Sequence, residues 1–184
     1  MLFNSLEFIV FFALVITTIV VIKNRKFQHL FLLAASYFFF IFSSNYLVSL
    51  LIFSTVLDFY IAQEIWKSTD SKKKKRLLII SIMGNLGLLG FFKYTDFGIS
   101  QFNSIAIALG QPEIPLLNII LPIGISFYTF QTLSYTIDVY RGNLEPSKSF
   151  KEFALFVAFF PQLVAGPIVR AKVFLPQLRE KMES

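Results

Sequence analysis

Polar residues in this chain fall between apolar runs and seldom inside them. Four runs, at residues 6–22, 27–42, 46–62 and 77–92, are each close to the 17–25 residues or so that carry a helix across the hydrocarbon core of a bilayer. They predict membrane-spanning helices. Between the second and third runs only Ser43, Ser44 and Asn45 intervene, which predicts a tight helical hairpin. Between the third and fourth, Ser68, Thr69, Asp70 and Ser71 lead into Lys72, Lys73, Lys74, Lys75 and Arg76, which predicts a solvated loop.

The pattern then becomes irregular. Residues 93–118 carry Lys93, Asp96, Pro112 and Pro115 among apolar positions, and an interfacial helix is expected there in place of a span. Residues 116–139 are long enough to cross, but Pro122 and Gly124 lie near the start, so the helix is expected to break or begin anew. Residues 150–160 read as a half-helix, followed by irregular backbone at Pro161, Gly166 and Pro167. The fold class predicted is an all-α polytopic membrane bundle, with broken or re-entrant helices near 116–125 and 160–168.

Charge sets the orientation. Threading the spans alternately puts twelve basic residues on one side, from Lys23, Arg25 and Lys26 through Lys67 and the 72–76 run to Arg141, Lys148 and Lys151, and Lys93 alone on the other. Basic loops stay cytoplasmic, so the N-terminus is expected outside a cell inner membrane. Ser44 and Asn103 are expected outside and Ser68 and Ser71 inside. The net charge of +6 is therefore read as topological. The basic run could also attract anionic lipid. Because no soluble element interleaves basic and aromatic residues, no nucleic-acid partner is expected. With 55% apolar residues and 24 Phe, lipid is the natural solvent. No basic stretch precedes residues 6–22 and no small-residue cleavage site follows Ile22, so a retained span is expected there and not a signal peptide.

Candidate chemistry is sparse. Cysteine is absent and His29 is the only histidine, so no metal site is expected. His29 follows a basic cluster at a helix start and reads as interfacial. Asp58 lies nine residues before Lys67, about 13 Å along a helix, and so near mid-bilayer. It reads as a polar-pocket or proton-handling group, or as a hydrogen-bonding partner of a neighbouring span. Gly84, Gly87 and Gly90 suggest a smooth packing strip. At about 100° per residue, Tyr128, Gln131, Thr132, Tyr135 and Asp138 share one helix face, opposite Phe127, Phe130, Leu133 and Ile137. In lipid such a face looks inward, either to a water-filled passage or to hydrogen bonds with other helices.

Three strings carry a family resemblance: Phe92-Lys-Tyr94; Leu121-Pro-Ile-Gly-Ile-Ser-Phe-Tyr-Thr-Phe-Gln131 with Asp138-Val-Tyr-Arg141; and Phe160-Pro-Gln-Leu-Val-Ala-Gly-Pro-Ile168. They resemble membrane-bound O-acyltransferases (the MBOAT family) of the bacterial alginate O-acetylase and D-alanyl-lipoteichoic-acid transfer type, over an N-terminal part. The resemblance implies an enzyme moving an acyl group, acetyl in the first case, from a cytoplasmic thioester donor (acyl-CoA or an acyl carrier protein) through a polar passage to an extracytoplasmic saccharide or cell-envelope hydroxyl. It also implies a catalytic histidine further along than Ser184, so no catalytic residue is carried over and the chain alone is expected to be inactive. The remainder of the enzyme or a complementing chain, and an extracytoplasmic acetylation protein, are the partners implied beside the lipid bilayer. By the same match, Pro122, Ser126, Tyr128, Gln131, Asp138, Gln162, Gly166 and Pro167 are the expected passage-lining residues. A non-catalytic membrane scaffold or transporter-like remnant is the other reading.

Overall fold

In a computed structural model describing residues 5–122, 124–165 and 169–179, each apolar run is helical. Helix α1 (Leu6–Val21) starts where Ser5 Oγ accepts from Phe8 N at 3.2 Å. It ends against α2 (Arg25–Ser44), whose Gln28 donates to the carbonyls of Ile19 and Ile22 at 3.0 and 2.6 Å. Carbonyls at a helix C-terminus have no intrahelical partner, so one amide both caps α1 and fixes the turn. A 3-10 turn (Asn45–Leu47) closes the hairpin into α3 (Val48–Lys67).

Helix α4 (Ser71–Ala108) corrects two expectations. The basic run is not a loop: Asp70 Oδ1 accepts from Lys72 N at 2.8 Å as an N-cap, and Lys and Arg are good helix formers. Nor is 93–108 a separate interfacial helix, because no proline occurs before Pro112 and one charged residue per turn or so does not break a helix. At 38 residues, α4 is about 57 Å long, nearly twice the hydrocarbon thickness of about 30 Å. It stops where Gly110 adopts φ +70°.

Residues 109–122 contain no regular structure and return along the end of α4 as a strap. Two α4 side chains tie it down. Asn103 exchanges two bonds with the Ile114 backbone at 2.8 and 2.9 Å, and Asp96 accepts from Leu117 N and Ile119 N at 2.9 and 2.7 Å. The 116–139 region is thus no continuous span. Gly124, at φ +76°, is the N-cap of α5 (Ile125–Tyr140), a left-handed conformation that costs glycine little. After a loop, α6 (Phe150–Ala158), α7 (Phe160–Ala165) and α8 (Ala171–Arg179) follow, and no strand occurs among the described residues.

The chain is an all-α membrane bundle. Helices α2, α3 and α4 are long and apolar enough to cross a bilayer, and α1 is a shorter apolar helix. Helices α3, α4 and α5 pack together, α6 lies against α2 and α3, and α8 packs on α5 and α6. Aromatic rings fill the seam between α1, α2 and α7, where Phe11 and Phe39 lie 5.2 and 5.6 Å from Phe160 between ring centroids. Large apolar side chains also cover the outside, among them Leu6, Val20, Phe38 and Met83, as lipid contact requires. The start of α2, the turn between α3 and α4, and the 141–149 loop share one end. There Gln63 Nε2 donates to Ser147 O at 2.7 Å, Lys73 pairs with Glu64 at 3.4 Å, and Lys26 and Lys151 line one cavity. Basic residues at the starts of three separate helices, Lys26 of α2, Lys73 of α4 and Lys151 of α6, are gathered on this end.

Candidate functional site

The centre of the α3–α4–α5 packing is polar. Ser54, Thr55 and Asp58 of α3, Ser81 and Asn85 of α4, and Thr129, Thr132 and Thr136 of α5 are all buried. A carboxylate so placed needs donors, and it has them. Ser81 Oγ donates to Asp58 Oδ1 and Asn85 Nδ2 to Asp58 Oδ2 at 2.8 Å, while Thr132 Oγ1 donates to Asn85 Oδ1 at 3.3 Å. The network therefore runs from α3 through α4 to α5. Of the two readings left open for Asp58, hydrogen bonding to a neighbouring span is the one seen. Its partners Ser81 and Asn85 escaped the sequence reading, although their i, i+4 spacing on an apolar helix is a signal that one turn-to-turn face is polar.

A second construction sits where α6 breaks. Pro161 has no N–H and its ring crowds the carbonyl four residues back, and the chain bends at Phe159, where ψ is 99°. In a continuous helix Phe160 N would donate to Phe156 O. Here Phe160 N donates instead to Ser36 Oγ of α2 at 3.4 Å, and Phe156 O accepts from Gln131 Nε2 of α5 at 2.6 Å. Two side chains from two other helices have replaced one missing backbone rung. Both are buried, Gln131 at 2% exposure and Ser36 at 0%.

The expected lining residues are thus distributed as follows. Tyr128, Gln131 and Thr132 face the bundle interior as the periodicity predicts, and Gln131 has a protein partner. Asp138 is only partly buried. Pro122 is buried and its carbonyl accepts from Ile125 N at 3.3 Å. Ser126 is partly buried, with Lys93 Nζ 3.4 Å from its hydroxyl. Gln162 is 7% exposed. Gly166 and Pro167 lie outside the described residues. Two of these side chains have buried polar atoms without a partner, the hydroxyl of Tyr128 and both amide atoms of Gln162. His29 lines a cavity of about 250 Å³ at the basic end with Lys26, Leu30, Ser149, Lys151 and Glu152. The glycine strip is only partly a strip: a Cβ on Gly84 would come within 2.8 Å of Leu57 Cδ2, whereas Gly87 and Gly90 face open space.

Comparison with known proteins identifies relatives for most of the chain. It is 41% identical over 135 residues, 72% of its length, to a protein of Pseudomonas aeruginosa described as a probable alginate O-acetylase. It is 38% identical over 128 residues, 69% of its length, to one so described from Azotobacter vinelandii. It is 36% identical, over 72% of its length, to a peptidoglycan O-acetyltransferase of Helicobacter pylori. The matched region covers 26%, 26% and 29% of those proteins, so the chain spans about a quarter of the length of the relatives it matches. No family model and no solved structure matches it. On these relatives the chain belongs to the membrane-bound O-acyltransferase family, of the alginate O-acetylase type, and is a membrane protein of the O-acetyltransferase group.

Proposed function

We propose that this member of the membrane-bound O-acyltransferase family is part of an enzyme moving an acetyl group from a cytoplasmic thioester donor, acyl-CoA or an acyl carrier protein, to a hydroxyl of an extracytoplasmic saccharide or cell-envelope polymer. The likeness to relatives described as acetylating alginate and peptidoglycan carries the reading. Alginate and peptidoglycan are both saccharide polymers, which supports a saccharide hydroxyl as acceptor. The basic residues gathered at one end support a cytoplasmic placement for that end and an N-terminus outside the inner membrane. The portion described here forms the helical wall of the enzyme. The base that takes the acceptor's proton is assigned to the remainder of the polypeptide or to a complementing chain, with an extracytoplasmic acetylation protein as a further partner.

One observation favours the scaffold reading: the fully buried carboxyl of Asp58 is satisfied by Ser81 and Asn85. A single experiment separates the two. Cells lacking the gene are compared with cells carrying it for alkali-labile acetate on purified envelope polysaccharide. Loss of acetate, restored by the gene, is expected. Unchanged acetate would overturn the enzyme reading and leave the scaffold.

A further inference from the structure

The cavity at the basic end gathers charge that the fold leaves uncompensated. Lys26 from the first turn of α2 and Lys151 from the first turn of α6 both line it, together with His29, Leu30, Ser149 and Glu152. Neither lysine has an ion-pair partner among the described residues. Arg25 and Glu152 both act electrostatically on His29, so Arg25, Lys26 and Lys151 are answered here by one carboxylate, Glu152. The neighbouring Glu145 is already paired with Lys148 at 3.6 Å. Ammonium groups brought to one cavity repel each other, and an anion between them relieves the repulsion. Ser149 Oγ accepts from Glu152 N at 3.3 Å, which leaves its O–H to donate into the cavity. Two ammonium groups and a hydroxyl are donors suited to phosphate oxygens.

Size and surroundings narrow the ligand. The cavity of about 250 Å³ is smaller than the roughly 300–1,000 Å³ of most small-molecule sites, a size for a headgroup and not for a whole nucleotide cofactor. An apolar track leads away from it. At about 100° per residue, Leu30, Ala34 and Ile41 fall within about 80° of Lys26 around α2, and all are exposed. Ile41 lies about 16 Å beyond Leu30 along the helix, half of a hydrocarbon core of about 30 Å and so the depth of one leaflet. We propose that this cavity binds the phosphodiester of an anionic phospholipid, held by Lys26, Lys151 and the Ser149 hydroxyl, with an acyl chain lying along Leu30, Ala34 and Ile41. Basic pockets between membrane helices on the cytoplasmic side suit anionic headgroups. A soluble phosphate ester would meet the same donors but leave the apolar track bare. The proposal does not depend on the acyl-transfer reading.

The test titrates the full-length protein, purified in non-ionic detergent, with phosphatidylglycerol, with phosphatidylcholine and with glycerophosphoglycerol, the first lipid's headgroup without chains. Bound ligand is counted by native mass spectrometry. Wild type is expected to prefer phosphatidylglycerol to phosphatidylcholine by tenfold or more and to bind glycerophosphoglycerol far more weakly. At about 1 kcal/mol per basic residue, Lys26→Gln with Lys151→Gln is expected to lose about thirtyfold in phosphatidylglycerol affinity, and each single change about fivefold. Both lysines are exposed, so folding is expected to survive; should the double variant fold poorly, the single variants carry the same test. Lys72→Gln with Lys75→Gln removes equal charge from exposed positions at the start of α4 and is expected to leave the affinity unchanged. Equal binding of the two lipids by wild type, or an affinity that survives loss of Lys26 and Lys151, overturns the site. An equal loss in the α4 pair also overturns it, because general attraction to the basic end would then account for the binding. Glycerophosphoglycerol bound as tightly as phosphatidylglycerol overturns the lipid and makes a soluble phosphate ester the occupant.

Discussion

Replacing Gln131 by Met tests how the broken helix is held. The substitution keeps the length and most of the volume of the side chain and removes the donor that reaches Phe156 O at 2.6 Å. Intramembrane hydrogen bonds contribute about 0.6 kcal/mol on average and up to about 1.7. A buried carbonyl left unsatisfied costs about 1–3 kcal/mol. Phe156 O has no second chance at a backbone donor, because the helix that would supply Phe160 N has bent away and that N–H is held by Ser36. The upper part of the first range therefore applies, and a loss of about 1–2 kcal/mol is expected. At about 2–4 °C per kcal/mol for a chain of this size, the detergent melting temperature should fall by several degrees. Ser36→Ala removes a longer bond of 3.4 Å, near the limit of a hydrogen bond, and should cost about half as much. Since the two side chains replace two halves of one rung, the double variant should depart from additivity by about 0.5 kcal/mol or more. The assay is thermal or denaturant unfolding of the purified protein, read beside acetyl transfer per folded molecule. An unchanged melting temperature with transfer lost would refute the argument and return Gln131 to the wall of a wet passage.

Three further outcomes are expected. Asp58→Asn keeps an acceptor for Ser81 and should be tolerated, whereas Asp58→Leu strands Ser81 and Asn85 and should lower unfolding free energy by about 2 kcal/mol or more; equal stability of the two would show that the network contributes nothing. Gly87→Ala and Gly90→Ala meet no neighbour and should stabilise α4 by up to about 1 kcal/mol, while Gly84→Val should destabilise by forcing Leu57 aside, an order that melting temperatures check directly. Because the chain has no cysteine, Ser71→Cys should resist an impermeant thiol reagent in intact cells and exposed Gln111→Cys should react; the reverse pattern would invert the topology.

Much of the bundle could be read from spacing alone. The apolar runs are long enough to need lipid, lipid leaves only helices and closed barrels to satisfy their backbones, and runs well beyond the roughly 9–11 residues of a membrane strand are helical lengths, so the all-α class follows from composition and run length. Pro161 announced a break and Pro122 with Gly124 a fresh helix start, because a missing N–H and a left-handed residue are local facts; the backbone from Pro161, expected to be irregular, is instead helical over Phe160–Ala165, since proline is tolerated in the first turn of a helix. The inward side of α5 was legible in part: Tyr128, Gln131, Thr132 and Tyr135 are buried, as a polar stripe in lipid requires, but Leu133, expected opposite, is buried too and Asp138 only partly. Helix α4 misled because Lys72–Arg76 and Lys93 look like membrane boundaries, while helix continuity depends on caps and breakers, and none intervenes between Asp70 and Leu109.

What spacing could not supply is partnership between distant residues. Ser36 and Phe160 are 124 positions apart, Gln131 and Phe156 25, and Asp58 and Asn85 27. Hydrogen bonding within a span exhausts the backbone but leaves side-chain donors free to pair with any helix that packs beside them. The choice is made by packing, so only the tertiary structure decided that Gln131 mends a broken rung and that Asp58 is answered by α4.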